Sequence, residues 1–493
     1  MTLHEFFNYF LFVRDVPAEY WWISTIRAVV RVLIGVFAIL LAVPPLVWWE
    51  RRLLGWMQQR QGPNRVGPFG LLQTIADGVK LLFKEDMNPT NVDKVLFIMA
   101  PMVFLIPSLV TAAVIPWGPS YTWGAVAPNV NVGVLYMLAW GSLAVYGVVL
   151  AGWSSNNKYS LLGGLRSSAQ MISYELGMGL AIISVVLLSG SLSLQQIVQH
   201  QGFYEITPEL THYGIAFPAW HVFQFFPLGL VATLIYMVSM LAETNRAPFD
   251  LPEAETELVA GYHTEYTSMK FATFFLGEYA NMIVVSAICT TLFFGGYHGL
   301  IPWLDELPQK LVNLYAFTPN GHRTFSFDLL RLGVPWLTMI INALIPVGWF
   351  TIKVLGFLYF FIWIRATLPR LRYDMLMKFG WQGLLPIALV NILLLAVGIA
   401  VNYGVALAAW AVIFAISLVA FAKSKPARLF AANSRRGSTI LLNSNAVPYR
   451  AVAEHVGRGG QTLPPDAKIG GYPVARSERE RDIIDAALTG KKD

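Results

Sequence analysis

Six carboxylates crowd one 35-residue stretch, Glu243 to Gly277 (ETNRAPFDLPEAETELVAGYHTEYTSMKFATFFLG), against two cations, Arg246 and Lys270. They are Glu243, Asp250, Glu253, Glu255, Glu257 and Glu265. Carboxylates held this close disfavour one another's charge, so some of them can hold and pass protons near neutral pH. A structural reading competes for two of them. Asp250-Leu251-Pro252-Glu253 has the form of a helix start, with Asp as cap, Pro in the first turn and Glu three residues on. That leaves Glu255, Glu257 and Glu265 without a structural role. In a helix, Glu253 and Glu257 share a face and Glu265 lies within about 80° of Glu257, so several carboxylates converge.

More ionisable groups fall on the same side of the flanking apolar runs. Glu243 and Glu278 end the runs on either side of the stretch, and Glu50 closes the first run. Glu175, in Ser-Tyr-Glu-Leu, is expected a turn or two inside a span. There a carboxylate costs roughly 2.5 kcal/mol or more unless protonated, paired or hydrated. A bond to a neighbouring Ser or Tyr, made only for packing, is the alternative. Lys353 lies 12 residues before Arg365, hence about 18 Å deep, and its expected partner is one of these acids or a water chain. The pattern is a line of protonatable groups leading from a surface into a membrane, which suits a proton or ion path.

Other chemistries find little support. The single cysteine, Cys289, excludes a disulfide, a thiolate zinc site or a cysteine-ligated iron-sulfur cluster within the chain. His221 and His298 lack ligand spacing for haem, and His263 reads as a local hydrogen-bonding partner, so no metal site is expected. No strand, glycine-rich turn and helix unit of the kind that binds NAD occurs.

The elements that must position these groups are membrane helices. Of the 493 residues 56% are hydrophobic and only 13% charged, against about 25% charged in soluble chains. Apolar runs of about 20 residues, continuous rather than alternating, exclude a β-barrel. The fold expected is an all-α polytopic membrane protein with spans at 28–49, 95–116, 132–153, 171–190, 223–242, 278–298, 346–364, 383–401 and 404–422. Loops at 50–94, 154–170, 243–277 and 365–382 carry 15 Lys and Arg, against 5 on the opposite side. The positive-inside rule therefore places the N-terminus outside, these loops in the cytoplasm, and the basic tail inside only if the ninth span exists. This bias also accounts for the net charge of +6 without nucleic acid. Residues 1–27 read as an interfacial lead-in rather than a signal peptide, 28–401 as the membrane domain, 402–422 as an extra span, and 423–493 as a basic tail. A short helix is expected at about 476–488. Segment 326–345 either lies on the outer interface or extends the seventh span.

The first cytoplasmic loop, Glu50–Asp86, gathers Arg51, Arg52, Arg60 and Arg65 around the turn Gly62-Pro63-Asn64. It then forms an amphipathic helix with Leu72, Ile75, Val79, Leu82 and Phe83 on one face. Its arginines either anchor anionic lipid or face an incoming polar headgroup or docked subunit.

Two blocks, GPNRVGPFGLLQTIADGVKLLFKED and AETNRAPFDLPEAETELVAGYHTEYTSMKFATFFLGEYANM, resemble the signature stretches of the H subunit of bacterial respiratory complex I, the NADH-quinone oxidoreductase. WIRATLPRLRYDMLMKFGW at 363–381 resembles that family's third block. The resemblance spans about residues 28–401. It implies the family's eight core transmembrane helices, here followed by a ninth and a cytoplasmic tail, in a prokaryotic cell inner membrane. It implies quinone as substrate, with the flavin and iron-sulfur clusters on partner subunits of the membrane and peripheral arms and no cofactor on this chain alone. Carried onto this sequence, Arg60, Arg65, Arg246 and Asp250 line the quinone chamber. Glu50, Glu175 and Glu278 belong to the ionisable chain that the resemblance implies; with Glu243, Glu253, Glu255, Glu257, Glu265 and Lys353, read from their own pattern, they make up the expected coupling path. The outer segment 299–345, the ninth span and the tail depart from the family. Alternative readings are the homologous membrane subunit of an energy-converting hydrogenase or other electron-input complex, a stand-alone cation transporter, or a structural anchor.

Overall fold

The computed structural model describes residues 21–118, 130–204, 217–250, 260–299, 335–423, 468–469 and 472–473. The helices are α1 (Trp21–Met57), α2 (Gln73–Phe83), α3 (Lys94–Ala112), α4 (Gly133–Ser154), α5 (Lys158–Ser189), α6 (Leu194–Gln199), α7 (Leu228–Glu243) and α8 (Ser268–Phe293). There follow α9 (Pro335–Thr367), α10 (Tyr373–Lys378), a π-helical turn at Phe379–Leu384, α11 (Leu385–Ala400) and α12 (Tyr403–Lys423). Extended structure among the described residues is confined to two-residue pairs. β1 (Phe203–Tyr204) runs antiparallel to β2 (Phe217–Pro218), and β3 (Lys468–Ile469) to β4 (Tyr472–Pro473). Packing divides the chain into 1–407 and 408–493. The acids and arginines singled out above all belong to the first unit.

Seven described helices are long and apolar enough to cross a membrane, so the chain is an all-α, polytopic membrane protein. A helix stands at each of the nine expected spans, but the ends differ. α7 has 16 residues, a rise of about 24 Å, short of a hydrocarbon core of about 30 Å. α1 begins at Trp21, so it takes in part of the expected interfacial segment. α9 reaches back to Pro335, the long-helix alternative for the seventh span; residues 326–334 lie outside the described part, as does the short helix expected near 476–488.

Two further shifts matter for the site. α5 begins at Lys158 rather than near 171, because its polar-looking start is rich in small residues (Gly163, Gly164, Ser167, Ser168) that bury against neighbours. α8 begins at Ser268 rather than 278. It is the central helix: 72% of its apolar window is buried, against at most 50% in the other spanning helices. Its buried apolar side chains join those of α1, α5, α7 and α9 in one core, and Tyr236 of α7 donates to the Val285 carbonyl of α8 at 3.1 Å. Caps set the other ends. Asp93 accepts from the Val95 and Leu96 amides at the start of α3, and Asn157 accepts from Tyr159 at the start of α5.

Candidate functional site

The loop between α7 and α8 is fastened from α5. Gln170, fully buried, donates through Nε2 to the carbonyls of Ala242 (2.7 Å) and Phe249 (2.8 Å) and to Asn245 Oδ1 (3.3 Å). From the other side the Leu371 amide donates to the Pro248 carbonyl at 3.0 Å. Arg246 and Asp250 are thereby held in place. The far end of the loop is set by close backbone approach. A Cβ on Gly163 would come within 2.6 Å of Gly261 Cα, so only glycine lets the turn Gly261–His263 sit against α5. That turn delivers Tyr262 and His263 to α8.

Two buried acids meet there. Glu50, 4% exposed, accepts a charged hydrogen bond from Arg365 Nη1 and a 2.6 Å bond from the Tyr279 hydroxyl, with Arg246 Nη1 3.7 Å away. Arg246 lies 4.2 Å from the Tyr279 ring centroid. Glu278, 5% exposed, accepts from the Tyr262 hydroxyl at 3.1 Å and faces His263 Nε2 at 3.4 Å. Arg246 acts electrostatically on both carboxylates, Glu50 and Glu278. Asp250 pairs with Arg370 at 3.1 Å on the same side. Breaking one partner of such a buried pair costs about 3–5 kcal/mol, so these contacts hold α1, α8, α9 and both loops in one arrangement.

A second pair of acids is built differently. Glu175 of α5 and Glu243 of α7 line one narrow cavity of about 30 Å³ with Ser108, Thr111 and Asn281. Space of that size admits a few water molecules at most. Among the described residues neither acid has a cation partner. Glu243 Oε2 and Thr111 Oγ1 are buried without a hydrogen-bond partner.

A profile described as NADH dehydrogenase matches residues 30–396. A protein of Koribacter versatilis (strain Ellin345), named as an H subunit of NADH-quinone oxidoreductase, is 44% identical over 392 residues, 76% of this chain and 97% of that relative. The NADH-quinone oxidoreductase H subunits of Rickettsia bellii (strain RML369-C) and of Rickettsia rickettsii (strain Iowa) are each 50% identical over 361 residues, 73% of this chain and 89% of theirs. The chain belongs to the family of NADH-quinone oxidoreductase H subunits.

Not every residue carried over by the resemblance to this family lies where expected. Glu50, Arg246, Asp250 and Glu278 are brought together, and Glu175 and Glu243 share the narrow cavity. Glu278 does not end a span. It lies ten residues, about 15 Å, inside α8, because the helix begins at Ser268. Glu175 is likewise well within α5. Glu265 accepts from Asn157 Nδ2 at 2.7 Å, a tie between the loop and the start of α5. Glu253, Glu255 and Glu257 lie outside the described residues.

Lys353 departs from the expectation. Its ammonium donates to the carbonyls of Phe294 (2.5 Å), Gly296 (3.0 Å) and His298 (2.5 Å), 4.4 Å from the Trp220 ring centroid. A cation at a helix C-terminus satisfies carbonyls that the helix leaves open. It therefore stands at the end of α8 opposite to that carrying the acid loop. Arg60 and Arg65 are exposed, and Arg60 donates to Gln58 at 2.7 Å.

Arg365, Arg370, Tyr279 and Gln170 carry no signal in the sequence that marks them as part of this site. Arg365 and Arg370 were visible only as charges in a basic loop. Nothing local links Arg365 to Glu50, 315 positions away.

Around this core, α2 lies against α1 and α8. Arg51 pairs with Asp77, and Ser268 Oγ donates to the carbonyls of Leu81 (3.0 Å) and Lys84 (2.9 Å). A cavity of about 520 Å³ opens between α1, α2 and the first turns of α8. The expected apolar face of α2 is exposed throughout, from Leu72 at 48% to Phe83 at 83%, as suits a helix lying on a bilayer.

Proposed function

We propose that this chain is a membrane subunit of a proton-translocating NADH-quinone oxidoreductase, forms the membrane end of its quinone chamber, and couples quinone reduction to proton translocation. As a subunit of a multisubunit oxidoreductase it works only in the assembled complex, with flavin and iron-sulfur chemistry on partner subunits and quinone as substrate. It lies in a prokaryotic inner membrane with its N-terminus outside and its acid loop on the cytoplasmic side.

One observation carries the reading: Arg246 lies 3.7 Å from buried Glu50 and acts electrostatically on buried Glu278, while Arg51 and Leu276, one and two positions from those acids, line the cavity between α1, α2 and α8. Quinone has a long apolar tail and a polar, redox-active head. The 520 Å³ cavity, with the bilayer-facing α2 beside it, suits the tail. Reduction of the head requires protons and changes the charge that Arg246, Glu50 and Glu278 feel. Arg246 and Asp250 stand at the chamber. Glu253, Glu255 and Glu257 follow Asp250 in the sequence.

The coupling path then runs from Glu278 of α8 to Glu243 and Glu175. Asn281, three residues on from Glu278, lines the cavity of that pair, and a helix brings residues i and i+3 to one face. Two acids sharing a narrow cavity, with no cation partner among the described residues, can take up and pass on a proton. Lys353 acts in this scheme as a lock on the outer end of α8.

The test is made on the complete complex in proteoliposomes. Glu278→Gln is expected to lower proton pumping and coupled quinone turnover while electron transfer from NADH to an artificial hydrophilic acceptor is kept. Full pumping by the variant rules the coupling role out.

A further inference from the structure

The quinone reading leaves one flank of α1 unused. The buried edge of α1 carries Ile39, Val43, Leu46 and Glu50. On one side of it lies the cavity shared with α2 and α8. On the other lies a separate slot of about 450 Å³ between α1 and α9. Ala38, Ala42, Pro45 and Trp49 of α1 line it opposite Thr351 and Leu358 of α9. Among the described residues no charged side chain lines the slot. Trp117, packed on Phe350 at 5.3 Å, belongs to its deep end near Thr351.

The depth of the slot narrows the choice of occupant. From Ala38 to Trp49 α1 rises about 16 Å, which is one leaflet of a hydrocarbon core about 30 Å thick. A partner's spanning helix would need a groove running through both leaflets. An acyl chain ends in mid-membrane.

The loop end of the slot meets a cleft of different character. Trp48 and Trp49 belong to both. The cleft, about 700 Å³, is lined by Arg52 and Arg60 and, among the described residues, by no carboxylate. Its wall is built by a chain reversal: the Arg60 amide donates to the Gly55 carbonyl at 2.8 Å. The reversal is tight: a Cβ on Gly55 would come within 3.0 Å of Gly62 N, and one on Gly62 within 2.9 Å of Arg52 Cα. Arg52 is held to the Phe69 carbonyl at 3.1 Å and lies 5.3 Å from the Trp48 ring centroid. Two cations over a chain-deep apolar slot complement an anionic head on a hydrocarbon tail; a quinone head is neutral.

We propose that the slot and cleft together bind one acidic phospholipid, its phosphate at Arg52 and Arg60 and one acyl chain between α1 and α9. The assignment does not depend on the quinone reading.

The test uses the whole complex, delipidated in detergent and resupplied with phosphatidylglycerol or phosphatidylcholine of matched chains, with retained lipid counted by mass spectrometry. Ala42→Phe, at an exposed position within the slot, is expected to retain one phosphatidylglycerol fewer than the unaltered complex. Arg52→Gln/Arg60→Gln is expected to lose a roughly 30-fold preference for phosphatidylglycerol, the factor two interfacial arginines contribute. An unchanged lipid count in the first variant, or an unchanged preference in the second, overturns the proposal. So does displacement of the lipid by excess quinone analogue, which assigns the slot to quinone. A partner helix seated in the slot in a map of the complex overturns it too. If Ala42→Phe fails to assemble, the arginine variant, confined to exposed side chains, decides alone.

Discussion

Two pairs of acids lie within the same helix bundle and are treated in opposite ways. Glu50 and Glu278 are surrounded by donors: Arg365, Arg246 and Tyr279 around the first, Tyr262 and His263 around the second. Glu175 and Glu243 share a narrow cavity with small polar side chains and no described cation partner. Burial is similar for Glu50, Glu278 and Glu243, at 4%, 5% and 9% exposure. Burial therefore does not separate Glu243 from the first pair; the partners do. A carboxylate ringed by cations and hydroxyls is stabilised as an anion and serves as a fixed charge, whereas one without them is free to exchange a proton. In the proposed coupling, the first pair would sense the quinone's charge and the second would carry the proton.

The contrast breaks most visibly at Arg365. Arg365→Leu leaves Glu50 buried with Arg246 as its remaining cation, and a loss of about 3–5 kcal/mol of stability is expected. It is read as loss of the assembled complex on native gels or a lower unfolding temperature. An assembled complex of normal stability would show that Glu50 needs no fixed partner.

Glu243→Gln should act on rate rather than assembly. Its shape is preserved and no ion pair is lost, so the complex should form normally. Removing a proton-transfer group should lower coupled turnover on the order of 100-fold, measured as proton uptake per NADH oxidised. Normal pumping would remove this pair from the path.

His221 supplies a control outside the spans. It is buried at the outer end, with Nδ1 2.7 Å from the Leu292 carbonyl, and burial lowers its pKa to about 4. The unfolded chain binds more protons than the native one between about pH 4 and 6.5, so stability falls as pH drops through that window. About 1.6 kcal/mol should be lost from pH 6.5 to 5. His221→Gln should flatten this acid limb in thermal unfolding while coupling keeps its pH profile; an unaltered limb would contradict the assignment.

The smallest effect belongs to Glu265, whose bond to Asn157 ties the loop to α5. Glu265→Gln weakens a charge-assisted hydrogen bond to a neutral one, about 1 kcal/mol, with pumping retained. A large pumping defect would return Glu265 to the path.

Much of this contrast was out of reach of the sequence, for specific reasons. The apolar runs announced a helix for every span, since continuous hydrophobicity needs only a local window. The start of α8 was missed because SMKFATFFLGE mixes polar and aromatic residues, and only the surrounding bundle makes it a buried helix. With that start displaced, Glu278 read as the edge of a loop. The richness of acids between Glu243 and Gly277 was legible, but which acids gain partners depends on contacts such as Glu50 to Arg365 that no local pattern encodes. For Lys353 the sequence shows its depth along α9, which suggests the acids as partners, but not the open carbonyls after Phe293 that it meets.

The central claim is that quinone reduction changes the protonation of Glu175 and Glu243 and leaves Glu50 and Glu278 charged. Infrared difference spectroscopy of the complex, recorded as quinone is reduced, follows the carboxyl C=O stretch directly. A protonation band present in the unaltered complex should vanish in Glu243→Gln or Glu175→Gln and, because Glu278 relays charge rather than a proton, only weaken in Glu278→Gln. A band that persists in the first two variants and vanishes in Glu278→Gln would contradict the account.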